Sequence, residues 1–242
     1  LAGGLFNGMI CPLLKFGIKG VAWYQGEGNV TRARQYRPLL KLLIEAWRRE
    51  WNRGDFPFLI VQLANFEGGR RPLLENSWAE LREAQQMALE LPNTALTVTC
   101  DIGEPRNIHP ANKQEVGRRL ALAAEKVAYG MDVVCTGPEY RSMTVDNNRA
   151  VISFQHVGGG LVAKGGSLKW FQIAGEDRKF YDADAEITND KVVVSSLRVP
   201  APVAVRYAWR NNPENCNFCN REGLPAVPFR TDSWPGMTDK NN

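Results

Sequence analysis

At 242 residues the chain is long enough for one large domain or two ordinary ones of about 100–150 residues each. A composition of 44% apolar and 23% charged residues is that of a globular protein and excludes disordered and fibrous architectures. Thirty basic against 26 acidic side chains leave a net charge of +4 with no clustered basic stripe, which argues against a nucleic-acid partner, and no apolar run approaches the roughly 18–20 residues of a spanning helix.

Residues 20–24 predict a short buried strand that ends in the turn signal Gln-Gly-Glu-Gly. From Arg32 to Trp51 a helix is expected, because Tyr36, Leu39, Leu40, Leu43, Ile44, Trp47 and Trp51 recur at three- and four-residue steps; Asn52 and Gly54 stop it. A second strand over 58–63 leads to Ser77 and Glu80, whose spacing is that of a capping box opening a second helix with Trp78, Leu81, Ala84, Ala88 and Leu91 on one side. The β-branched run 94–100 predicts a third strand, broken by Asp101-Ile-Gly-Glu-Pro. A third helix follows from Asn112 to Tyr129, closed by Gly130, with Val116, Leu120, Ala123, Ala124 and Val127 inward. Strand and helix alternating three times is the pattern of a parallel α/β sheet.

Beyond Met131 the runs 144–154, 160–164, 168–173, 191–197 and 203–209 are short, β-rich and separated by Gly, Asn and Asp clusters. The expected organisation is an α/β part over 1–130 and a smaller all-β, sandwich-like domain over 131–242, with a frayed polar tail from Met237. The chain opens at Leu1 without an initiator Met or signal peptide and reads as part of a longer polypeptide. Five cysteines are too few for a disulfide scaffold. Cys216 and Cys219 form one C-x-x-C, expected to close a local disulfide if the protein is exported; one pair cannot supply the four ligands of a zinc site.

Two segments place polar groups just past a buried strand, where open parallel sheets bind their ligands. One runs from Trp23 to Asn29 and offers Gln25, Glu27 and Asn29. The other runs from Asp101 to Lys113 and carries His109, one of only two histidines. A histidine on a loop before a helix suits a general base that takes a proton from a hydroxyl nucleophile and returns it to the leaving group. His156, beside Gly158-Gly159-Gly160, reads as structural or surface. Gln62 and Asn65, at the end of the second strand, could line a pocket or anchor loops, and Arg82, near the apolar face of its helix, is expected to snorkel or pair.

The stretches Gly20-Val-Ala-Trp-Tyr-Gln-Gly-Glu-Gly-Asn29, Ile108-His-Pro-Ala-Asn-Lys-Gln114 and Val205-Arg-Tyr-Ala-Trp209 with Asn212-Pro213 resemble the sialate O-acetylesterases, serine esterases of the SGNH-hydrolase superfamily that are similar in these motifs to acetylxylan esterases. The resemblance implies part of a parallel three-layer sheet, removal of O-acetyl groups from sialic acid by a serine and a histidine, no metal or organic cofactor, and a secreted, periplasmic or lysosome-like setting. His109 matches the catalytic histidine, and Gln25 the glutamine of the block that builds the oxyanion hole, with Asn29 and Gln62 as further substrate-side candidates. Arg106 stands where the superfamily commonly has its aspartate, so Glu27 is the first candidate for the acid that orients the imidazole, with Asp101 and Glu104 behind it. No Gly-x-Ser nucleophile follows a strand of the α/β part; Ser167 lies in the β-rich half. The serine is therefore expected upstream of Leu1, and the chain alone is expected to lack esterase-level turnover. Two other readings are an acetylxylan esterase and a non-catalytic carbohydrate-binding module.

Overall fold

The computed structural model describes residues 3–68 and 73–240. Its first half is built on a parallel sheet of β1 (Val21–Trp23), β2 (Phe58–Val61) and β3 (Thr94–Thr97) in the order β1-β2-β3. Helices α1 (Ala33–Trp51), α2 (Ser77–Gln86) and α3 (Lys113–Tyr129) connect and follow the strands. The two-residue period of a strand explains the layering. Phe58, Ile60 and Leu96 point into a core with Tyr36, Leu40 and Ile44 of α1 and Trp78, Leu81 and Ala84 of α2. Leu59 and Ala95 point the other way and pack on Ala123, Leu120 and Val127 of α3. The central strand β2 is therefore covered on both faces, as an all-apolar strand such as Phe-Leu-Ile-Val demands, whereas Ala22 of the edge strand β1 is exposed.

The ends of the helices follow their sequence signals. Asn52, at φ 50°, closes α1 with its N–H on the carbonyls of Arg48 and Arg49, and Gly130, at φ 68°, closes α3. Asn112 caps α3 by accepting the N–H of Glu115. Two local expectations fail. Leu39 is 44% exposed, because the buried residues of α1 run Tyr36, Leu40, Ile44 and Leu39 falls beside that stripe. Ser77 and Glu80 form no capping box: Ser77 gives its hydroxyl to the Leu74 carbonyl, and Glu80 is taken by the C-terminal segment.

The second half contains β4 (Glu139–Asp146), β5 (Arg149–Gln155), β6 (Leu161–Ala163), β7 (Phe171–Ala174), β8 (Phe180–Asp182), β9 (Asp184–Thr188), β10 (Lys191–Ser195), β11 (Ala204–Tyr207), β12 (Phe218–Asn220) and β13 (Phe229–Arg230). They form antiparallel sheets β4-β5-β10-β9 and β13-β11-β7-β8, with a β12-β6 pair beside them. Ile152, Val192 and Val194 of the first sheet meet Phe171, Ile173, Val205, Tyr207 and Phe229 of the second in one core. The single run expected over 144–154 is part of a hairpin, β4 and β5, that turns at Asn147 with φ 53°.

Three buried polar links join the halves. Arg82 has no exposed surface and gives four hydrogen bonds of 2.8–3.0 Å to the carbonyls of Leu63, Ala64, Arg210 and Asn211. It neither snorkels nor pairs with an acid, because backbone acceptors surround the guanidinium; burial lowers its pKa to about 10, which leaves it charged at neutral pH. Glu80 accepts the N–H groups of Met237 and Thr238 and the Thr238 hydroxyl, so the segment read as frayed is tied down at a fully buried Thr238. Glu83 bridges Arg37 and Arg230.

Candidate active site

The loop after β1 is held by a polar web. Tyr36 on α1 donates its hydroxyl to Gln25 Oε1 at 3.0 Å and accepts the Trp23 indole N–H at 3.3 Å. Gln25 in turn donates from Nε2 to Asn29 Oδ1 at 2.9 Å. Beneath it Gln85, fully buried on α2, donates to the carbonyls of Gln25 and Val61 and accepts the N–H of Leu63. Burial pushes the Tyr36 hydroxyl above its ordinary pKa, and the nearby Glu27 carboxylate adds to the rise, so Tyr36 stays a neutral donor. Gly26, at φ 156°, lies so close to α2 that a Cβ there would meet the Leu81 side chain at 2.7 Å. The amide of Gln25 is thus fixed in orientation, and among the described residues one of its two N–H groups has no partner.

The loop between β3 and α3 is built differently. Glu104 accepts the Ala111 N–H at 2.7 Å and the Asn107 side-chain amide at 3.2 Å, and Asn107 Oδ1 accepts the His109 N–H at 3.0 Å. These bonds hold the Glu104 carboxyl below its ordinary pKa, the Ala111 N–H contributing most. His109 is exposed, and among the described residues its ring has no hydrogen-bond or ion-pair partner. Gly103 ties this loop to the end of β2, donating its N–H to Asn65 Oδ1 at 2.8 Å. A Cβ at Gly103 would stand 2.4 Å from Asn65 O and Oδ1.

The two loops meet. Lys113, in the first turn of α3 and four residues after His109, reaches the Tyr24 hydroxyl at 3.3 Å and lies 4.7 Å from the centre of the Tyr24 ring. The Trp-Tyr-Gln-Gly-Glu and Ile-His-Pro segments therefore share one rim beyond the carboxyl ends of the parallel strands, where a sheet of this kind places its ligands.

Other expected site residues lie elsewhere. Asp101 is locked in a bidentate pair with Arg119 at 2.7 Å for each bond, so its oxygens serve the anchoring of α3 and not His109. Glu27 opens the helical turn Glu27–Arg32 and makes no ion pair with His109. Gln62 is fully buried, donates to the Arg82 carbonyl, and lines no cleft, because its strand is covered on both faces. Asn65 is an anchor, donating to Asn212 Oδ1 at 2.6 Å. Ser167 sits on an exposed loop whose carbonyl accepts from Asn217. His156 is a surface residue 3.6 Å from Glu139.

All five cysteines are free thiols. Cys216 donates to the Pro213 carbonyl and neighbours Cys100, whose pKa that contact and burial push up; the expected Cys216–Cys219 bridge is not formed, the Cys216 thiol being engaged with these groups instead. Among the described residues no group of acids, histidines and cysteines could hold a metal ion, and no helix is long and apolar enough to cross a membrane. The residues sequence reasoning missed are Tyr36 and Gln85. Both sit at helix positions that read as an apolar face or a neutral surface, and only Gln85, a polar residue amid the apolar positions of α2, carried a signal.

Residues 9–126 match the family described as carbohydrate esterase, sialic acid-specific acetylesterase. The chain is 31% identical over 257 residues to the sialate O-acetylesterase of Mus musculus, covering 93% of this chain and 46% of that protein. To the Homo sapiens sialate O-acetylesterase it is 30% identical over 273 residues, covering 96% and 50%. The crystal structure of a carbohydrate acetylesterase from Xanthomonas citri superposes with a TM-score of 0.90 at 47% identity, over 95% of this chain and 54% of that one. Fold and likeness together relate the chain to the carbohydrate esterases. The curated relatives it matches within that class are sialate O-acetylesterases, and the chain spans about half of their length.

Proposed function

We propose that the chain supplies the histidine and oxyanion side of an esterase that removes O-acetyl groups from sialic acid. The observation that supports this reading is the Lys113–Tyr24 contact, which joins the two segments that carry His109 and Gln25. His109 takes the proton of a serine hydroxyl as that oxygen attacks the acetyl carbonyl, then returns it to the departing sugar hydroxyl; water repeats the cycle and releases acetate. The free N–H of Gln25 faces the negative oxygen of the tetrahedral intermediate, and Asn29 keeps that amide from rotating. Glu104 acts as a positioning residue, holding the His109 backbone through Asn107.

No serine of the chain follows a strand of the parallel sheet in a Gly-x-Ser setting, so this reading assigns the nucleophile to a part of the parent polypeptide outside these residues. In the same reading residues 1–130 belong to an SGNH-type esterase domain, residues 131–242 form an accessory domain, and the protein works in an exported or lysosome-like compartment. The test is acetate release from O-acetylated sialic acid by the full-length protein. His109→Ala is expected to lower kcat more than about 10³-fold with the fold intact. Undiminished release by that variant would overturn the reading.

A further inference from the structure

A second cleft, of about 430 Å³, opens where the two halves meet and is lined by Glu67, Trp170, Arg210, Asn211, Asn212 and Glu214. It borders the His109 loop. The N–H of Glu67 donates to the Pro105 carbonyl at 2.9 Å, and Asn212 is joined through Asn65 to Gly103. Trp170 stands out in it, because a bulky aromatic residue at φ 66° is strained and persists only where its surroundings impose that conformation. The constraints are visible: the Trp170 carbonyl accepts the Ala208 N–H at 2.9 Å, and its indole N–H donates to the Glu214 carbonyl at 2.7 Å. Arg210 lies 5.3 Å from the indole centre and is itself fixed on Asp182 at 2.7 Å. Asn211 is pinned at both ends, to the Trp78 N–H and to the Leu74 carbonyl. The indole is therefore held in one orientation at the mouth of a polar cleft.

We infer that this cleft is a saccharide subsite in which Trp170 stacks on a neutral pyranose ring next to the acetylated sugar of a glycan chain. Pyranose rings offer an apolar face of C–H groups to an aromatic ring and hydroxyl donors and acceptors at their edge. Glu67, Glu214 and Asn212 supply partners for that edge. The charges set the class of sugar. The cleft carries two carboxylates, which make no ion pair among the described residues, against one guanidinium whose charge already serves Asp182. A sugar carboxylate would find repulsion there and no free cation, so the ring that stacks is an uncharged one. That this ring adjoins the acetylated sugar rests on the proposed esterase reading; the binding itself does not.

Titration calorimetry of the chain with lactose, with xylotetraose and, as the charged comparison, with free N-acetylneuraminate tests the subsite. Binding of at least one neutral sugar and none of N-acetylneuraminate is expected, with Trp170→Ala weakening it at least about tenfold and Trp170→Phe keeping most of it. Alanine is as poorly suited to φ 66° as tryptophan, so the substitution leaves the backbone strain in place, and an unchanged melting curve identifies a folded variant. No binding of either neutral sugar, tighter binding of N-acetylneuraminate, or Trp170→Ala binding like the parent chain would overturn the inference. In the full-length protein Trp170→Ala should leave turnover of a small aryl acetate unchanged while lowering kcat/KM on an acetylated oligosaccharide. Loss of aryl acetate turnover on His109→Ala reports on the esterase reading alone, so the two fail separately.

Discussion

The loops at the carboxyl ends of β1 and β3 reach the same rim but are held in opposite ways. Around Gln25 the supports are buried side chains from two helices, Tyr36 on α1 and Gln85 on α2, and each serves a backbone or amide group of the loop. Around His109 the supports are local and more exposed: one carboxylate, one asparagine, and two tethers to the segment after β2, Gly103 to Asn65 and Glu67 to the Pro105 carbonyl. The contrast suits the two tasks. A donor that stabilises developing charge gains from being fixed beforehand, since no reorganisation is then needed during reaction. The histidine ring, without a partner among the described residues, is open to the hydroxyl and the acid that the proposed reading assigns to it.

Breaking the buried web should cost the most. Gln85→Leu leaves the Leu63 N–H and the carbonyls of Gln25 and Val61 without their partner in the interior, and unfolding in urea is expected to show a loss of about 3–5 kcal/mol. Gly103→Ala attacks the tether of the other loop to Asn65. A methyl group 2.4 Å from Asn65 forces the loop off β2, with about 2–3 kcal/mol lost in the same experiment and the His109 segment becoming sensitive to limited proteolysis. Tyr36→Phe removes the donor to Gln25 Oε1 and the acceptor of the Trp23 indole, an expected loss of about 1–2 kcal/mol.

The smallest effect belongs to Glu104, and it reads out by pH. Its folded-state pKa lies below the ordinary 4.5 because the ionised form accepts two hydrogen bonds. The contact is therefore complete above that value and is lost as pH falls through the lower folded value. The Ala111 amide resonance should shift in that acid window and show no such step in Glu104→Gln. A titration step of unchanged size in the variant would mean that another group holds the loop.

Much of the parallel half could be read from the chain, because its signals are local: the Phe-Leu-Ile-Val run, the four-residue steps of α1, Asn52 and Gly130 as caps, and the glycine-bounded Trp-Tyr-Gln-Gly-Glu turn. What stayed hidden depends on partners distant in sequence. Arg82 was expected to snorkel or pair because the carbonyls that surround it include Arg210 and Asn211, over a hundred positions away. Glu80 had the right spacing for a capping box, and only the fold shows that Thr238 takes its carboxylate. Asp101 was a reasonable candidate acid until Arg119, one helix turn after Glu115, proved to hold both its oxygens. Strands of two or three residues such as β12 and β13 carry no periodicity at all.

The claim that a fixed Gln25 amide and a solvent-facing His109 serve one reaction centre is tested most directly by the pH profile of aryl acetate kcat/KM for Gln25→Ala in the full-length protein. A fall of about 10²-fold at every pH, with the shape of the profile kept, is the expected result, since the oxyanion donor is lost while the proton-transferring group is untouched. A rate equal to that of the parent protein across the whole range would contradict it.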